Sequence, residues 1–118
     1  MAEAFARAYG ADVIIPASAG LAPAMRIPSD TRNAMNEKGI DLRDHFPKGI
    51  RNLGRAEFDL VVNMSGADIL PDQVPGSAIV EWDVADPVSM VYEDHCKIRD
   101  EIERLVMKLV LNLRKEAQ

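Results

Sequence analysis

The spacing of apolar residues changes period several times along this chain, and each change marks an element. In MAEAFARAYG, Met1, Phe5, Ala8 and Tyr9 recur on one helical face, Glu3 and Arg7 form an i,i+4 pair, and Gly10 is placed to end the helix. ADVIIPASAG follows, a nearly continuous apolar run closed by small residues. It predicts a buried parallel strand over residues 12–18, with Pro16 at its end or on an edge. DTRNAMNEKG predicts a second helix, capped by Ser29 or Asp30 and stopped at Gly39. IDLRDHFPKGIRNL is polar and mixed, a turn plus a short helix. EFDLVVNMSG is the strongest strand, with Phe58, Leu60, Val61 and Val62 apolar around Asp59. ADILPDQVPGS reads as a loop with one helical turn, AIVEWDV as a third strand, and ADPVSM as the loop after it. From about Val91 to Arg114, Ile98, Ile102, Leu105, Val106, Leu109, Val110 and Leu113 form the wide apolar stripe of a long amphipathic helix.

Helix, strand, helix, strand, strand, helix is an α/β alternation, for which right-handed crossovers between parallel strands are the default. At 118 residues the chain is read as one domain, 1–118, long enough for a real core. A net charge of −5 with no dense Lys/Arg block argues against a nucleic-acid partner. One cysteine, Cys96, rules out an internal disulfide framework and suits a reducing compartment. With no apolar run of membrane-spanning length and no leader pattern, the expectation is a cytoplasmic protein without a membrane partner.

In open parallel sheets ligands bind beyond the carboxyl ends of the strands, here the loops beginning at Ser18, Met64 and Asp83. The opening helix is a poor natural start, since nothing before it caps its first N–H groups and an α-ammonium sits at the positive end of its dipole. His45 and His95 show no ligand spacing, and His95 and Cys96 diverge as helix neighbours, so neither a metal nor another cofactor is expected.

MAEAFARAYG, SAGL, EKGIDLRDHFPK, FDLVVNMSG and WDVADP occur here in that order. Each is weak alone, but the ordered set resembles the low-molecular-weight protein tyrosine phosphatases and the arsenate reductases that share their fold. The resemblance covers essentially the whole chain. It implies a three-layer phosphotyrosine-phosphatase-I-like parallel sheet. In that family the first helix is preceded by a central strand and a phosphate loop of pattern C-x5-R followed by Ser. Neither is present in the sequence, so the expectation is a chain truncated just after its phosphate-binding loop. The family's nucleophile is a thiolate activated by loop N–H groups and a helix dipole, and the loop arginine holds the oxyanion. Cys96 does not replace it: the residue six places on is Ile102, the segment reads as helix, and Glu93 and Asp100 share its face.

Asp86-Pro87 matches the family's Asp-Pro pair, which implies that Asp86 is the general acid for the leaving oxygen. On the dipeptide alone a turn is the ordinary reading, and its place between a strand and the last helix shifts the balance. Asp83, nearer the strand, reads as structural. Ser18 matches the small residues behind the phosphate loop, where a hydroxyl orients the cysteine-bearing backbone, although a serine at a strand end is equally ordinary. Asn63 and Ser65 either line the same crevice or simply begin a loop.

The family's phosphotyrosine enzymes carry aromatic walls where this chain has VSM and LAPAMRIP, with Tyr92 not far off, which puts phosphotyrosine preference in doubt. Trp82, four residues before Asp86, together with GIDL and PK, is closer to the arsenate-reductase branch. Thioredoxin-coupled members of that branch have a cysteine at the position of Ser65, and serine cannot relay a disulfide. The resemblance therefore implies a phosphatase-like protein whose parent reaction is phosphomonoester hydrolysis through a cysteinyl-phosphate, this chain being expected to be inactive for want of its nucleophile. Its implied partner is a phosphorylated substrate or oxyanion. One alternative is an arsenate reductase using an external thiol. The other is a non-catalytic fragment or association module, because removing a central strand leaves two open edges. That leads to two structural expectations: direct pairing of 12–18 with 58–63, or a homodimer completing the sheet.

Overall fold

A computed structural model describes residues 1–20, 26–54, 57–67, 78–87 and 90–117. The first helix, α1, spans Ala2–Gly10 and buries Glu3, Ala4, Phe5, Ala6 and Gly10. Its apolar face is therefore rotated from the expected one: Ala8 is exposed, and a carboxylate lies inward. Phe5 stacks on Tyr9 with ring centroids 5.7 Å apart.

The strand expected over 12–18 does not form. The N–H groups of Val13 and Ile14 both donate to Gly10 O, at 3.0 and 2.8 Å, so α1 runs on into a turn that consumes the start of the apolar run. Gly10 ends the helix without a left-handed conformation, since Ala11 beyond it stays in the right-handed region. Among the described residues the one pairing near this run is an isolated parallel bridge between Gly20 and Gly49, with Gly20 N–H donating to Lys48 O at 2.7 Å. A strand needs a neighbour to satisfy its backbone, and none of the described residues provides a ladder for 12–18. Direct pairing of that run with 58–63 is likewise not what the structure shows. Ile15 is left 98% exposed.

Helix α2 spans Ser29–Asn36 with Pro28, not Ser29 or Asp30, at the cap position and no side-chain cap bond. Its end follows the sequence closely. Gly39 adopts φ 74°, and the N–H groups of Gly39 and Ile40 return to the carbonyls of Asn36 and Met35, a Schellman closure that only a left-handed residue permits cheaply. A short 3-10 helix, Ile50–Leu53, occupies the mixed segment that follows.

Strands β1 (Val61–Asn63) and β2 (Ile79–Glu81) pair in parallel, Val61 opposite Ile79 and Asn63 opposite Glu81. The expected helical turn between them falls on residues 68–77, outside the described ones. Helix α3, Tyr92–Glu116, packs against both α1 and α2. Its buried stripe is His95, Arg99, Ile102, Val106 and Val110, while Leu105, Leu109 and Leu113 are only partly covered. Phe5, Met35, Val106 and Val110 are the largest fully buried side chains, and Met64, Trp82 and Val84 bring the ends of the sheet onto this core. No helix among the described residues is long and apolar enough to cross a membrane.

Candidate functional site

The carboxyl ends of β1 and β2 open into a crevice of about 690 Å³, lined by residues 63–67 and 81–87 and by Ile102 from α3. Its floor is built by Asn63, which is 4% exposed. Asn63 Nδ2 donates to Ala67 O at 2.7 Å, and its Oδ1 accepts from Ser65 N–H at 3.0 Å and Ser65 Oγ at 2.7 Å. An asparagine at a strand end thus replaces the ladder with a side-chain turn. Gly66, at φ 76°, supplies the left-handed residue that this tight loop requires. On the other strand Trp82 N–H donates to Asn63 O at 3.0 Å, which fixes WDVADP across from the Asn63 loop. The structure therefore brings Asn63, Ser65 and Asp86 to one crevice, with Trp82, Met64, Val84, Pro87 and Ile102 as apolar wall. Among the described residues Glu81, Asp83 and Asp86 are the charged ones lining it, with no Lys or Arg. The segments VSM and LAPAMRIP, whose lack of aromatics bears on substrate choice, are residues 88–90 and 21–28, of which 88–89 and 21–25 lie outside the described residues.

Ser18 lines a second, smaller pocket together with Glu3, Arg26, Thr31, His45 and Lys48. Ser18 Oγ donates to Glu3 Oε1 at 2.7 Å. The Glu3 side chain is 6% exposed and meets Lys48 Nζ at 3.3 Å, an Arg7 nitrogen at 3.3 Å and His45 Nδ1 at 3.4 Å. Burial pushes the Glu3 carboxyl up, but the Ser18 hydroxyl and the Lys48 and Arg7 charges outweigh it and hold the pKa below the ordinary value. From the sequence Glu3 reads only as half of an i,i+4 pair with Arg7. A carboxylate flanked by Ala4, Phe5 and Ala6 on the same helix was the available signal.

Cys96 lies on α3 and lines neither pocket. Its thiol donates to Glu37 Oε2 at 3.6 Å, and the Tyr92 hydroxyl bonds the same carboxylate oxygen. That carboxylate holds the Tyr92 pKa well above its usual value. His95, 2% exposed, is tied by Nε2 to Thr31 Oγ1 at 3.1 Å. Among the described residues no group of three His, Cys, Asp or Glu side chains is placed to hold a metal ion.

The pattern that defines the low molecular weight phosphotyrosine protein phosphatases matches residues 1–118. The chain belongs to that family. A glutaredoxin arsenate reductase from Synechocystis sp. is 27% identical over 115 residues, 96% of this chain and 87% of that protein. A solved arsenate reductase in its phosphate binding state superposes with a TM-score of 0.83 at 26% identity, covering 95% of this chain and 86% of the other. An arsenate reductase from Archaeoglobus fulgidus, 22% identical, shares the fold with a TM-score of 0.74 over 92% of this chain and 86% of its own. The α/β fold of the family is thus established, with a small parallel sheet and helices packed on it.

Proposed function

We propose that the crevice beyond β1 and β2 is the acid-donating wall of an oxyanion site, with Asp86 protonating the oxygen that leaves. The observation that carries this reading is the meeting of Asn63, Ser65 and Asp86 at one crevice at the carboxyl ends of parallel strands, where sheets of this class bind ligands. Asn63 and Ser65 shape the loop facing Asp86, and Trp82 and Met64 supply an apolar boundary that limits water around the transferred proton. Among the described residues three carboxylates and no cation line the crevice, which disfavours an oxyanion held by these side chains alone. A family-type loop carrying a thiolate and an arginine supplies what is lacking. The only cysteine in these 118 residues, Cys96 on α3, is engaged with Glu37 at the end of α2, so on this reading the chain by itself does not turn over substrate.

The reaction we favour for a site so completed is arsenate reduction, supported by the likeness to arsenate reductases, one of them named for glutaredoxin. A loop thiolate attacks arsenic and Asp86 protonates the departing oxygen. An external thiol then supplies the reducing electrons, because Ser65 stands where a relay cysteine would be needed. Phosphomonoester hydrolysis is the second reading, supported by the family itself, and uses Asp86 in the same way.

The test joins a family-type strand and C-x5-R loop ahead of Met1, then follows arsenite formation with glutathione and glutaredoxin alongside p-nitrophenol release from p-nitrophenyl phosphate. Asp86→Asn is expected to lower kcat for the active reaction by about 100-fold or more. Unchanged kcat in that variant would remove Asp86 from the mechanism.

A further inference from the structure

Val61 N–H donates to Ala78 O at 2.8 Å, and Asn63 O accepts from Trp82 N–H at 3.0 Å. The backbone groups of successive strand residues point to opposite edges, so Leu60, Val62 and Met64 turn theirs away from β2. Among the described residues nothing bonds the N–H or C=O of these three. β1 thus presents an edge of unpaired main chain, in a described sheet of two strands, fewer than a sheet needs to hold itself. We infer that this edge binds the same edge of a second copy, β1 against β1, antiparallel about a twofold axis at Val62. The proposal is independent of the Asp86 reading.

The edge is complementary to itself. With the axis on Val62, that residue meets its counterpart, and Leu60 meets Met64 of the second copy. These are the hydrogen-bonded pairs of an antiparallel ladder, each exchanging both N–H···O bonds, and they engage every outward group of the three residues. Neighbouring registers do worse. An axis at Asn63 sets Leu60 opposite Gly66, whose φ of 76° ends the strand, and an axis at Val61 sets Met64 opposite Phe58, beyond the bend at Asp59. Residues 60–64 carry no charge, and Asp59 falls opposite Ser65, so no carboxylate is brought against another. The outer edge of β2 is different. Glu81 stands on it and Asp83 lies just beyond, the kind of charge that blunts an exposed edge. The product is therefore one sheet, β2-β1-β1-β2, closed by its twofold rather than open to further copies.

The experiment is sedimentation of the 118-residue chain over a wide concentration range, with amide hydrogen exchange read at both ends of that range. A monomer–dimer equilibrium is expected. Where the dimer dominates, exchange at Val62 and Met64 should slow about tenfold or more, while Val61, already bonded to Ala78, changes little. Added salt should tighten the dimer severalfold, because each copy carries a net charge of −5. Val62→Pro removes an edge donor from each copy and no bond between β1 and β2, so the dissociation constant should rise about tenfold or more. A monomer at every concentration, protection at Ile79 and Glu81 or over residues 12–18 instead, or an unchanged dissociation constant in Val62→Pro would overturn the proposal. Should Val62→Pro lose its fold, the alternating protection in the wild type decides alone.

Discussion

Gly10 of α1 and Val110 of α3 lie so close that a Cβ added to Gly10 would stand 2.7 Å from Val110 Cγ2 and 3.3 Å from Ile14 Cδ1. The helices meet at this glycine because Val110, fully buried and stiff at χ1, has nowhere to turn.

Gly10→Ala should therefore destabilise the protein. Alanine improves helix propensity by about 0.5–1 kcal/mol, but overpacking a closed contact costs about 1–3 kcal/mol, so the clash wins. Urea denaturation checks the sign. A double-mutant cycle with Val110→Ala should return a coupling of at least about 0.5 kcal/mol, since the smaller side chain vacates the space.

The Glu3 cluster predicts a pH dependence. The folded pKa of Glu3 lies below its ordinary value, so the unfolded chain takes up a proton first as pH falls. The stabilisation is fully present above the unfolded value of about 4.3. It drains away as pH falls from there through the folded pKa. Glu3→Gln should lose stability at pH 7 and show a shallower decline below about pH 4.3 than the wild type. Equal slopes in the two proteins, measured by thermal melts from pH 6 to pH 3, would remove Glu3 from the account.

Asn63 makes three bonds that hold the loop facing Asp86. Asn63→Ala leaves the Ala67 carbonyl and the Ser65 N–H without that partner in a half-buried setting, a loss of about 1–3 kcal/mol. Hydrogen exchange should accelerate at residues 64–67 more than in α1 or α3. Uniform acceleration across the chain would mean that Asn63 supports the whole fold rather than this loop.

Much of the fold is legible in the sequence because the signals are local. Gly39 closes α2 by the only conformation that satisfies two carbonyls there, and the stripe of α3 follows from 3.6-residue spacing. The stripe nonetheless continues through Arg99 to His95, which polarity hides although the spacing 95, 99, 102, 106, 110 is regular. Arg99 is tolerated inside because it donates to Ala34 O at 3.0 Å and pairs with Asp100. The 12–18 run failed as a strand for a non-local reason: apolar residues state a preference for burial, not the presence of a neighbour to pair with. The crevice residues were legible because strand ends locate them. The Glu3 cluster was not, since its members at 3, 18, 45 and 48 meet only through the tertiary fold.

On the function proposed above, these 118 residues supply an acid wall and, with Cys96 as their one cysteine, no nucleophile. The most direct test is to assay the unmodified chain and Cys96→Ala side by side for p-nitrophenyl phosphate hydrolysis and for arsenate reduction with glutathione and glutaredoxin. The account predicts a folded protein with no turnover above buffer in either reaction for both proteins. Turnover in the unmodified chain that disappears in Cys96→Ala would contradict it, making the α3 thiol a nucleophile.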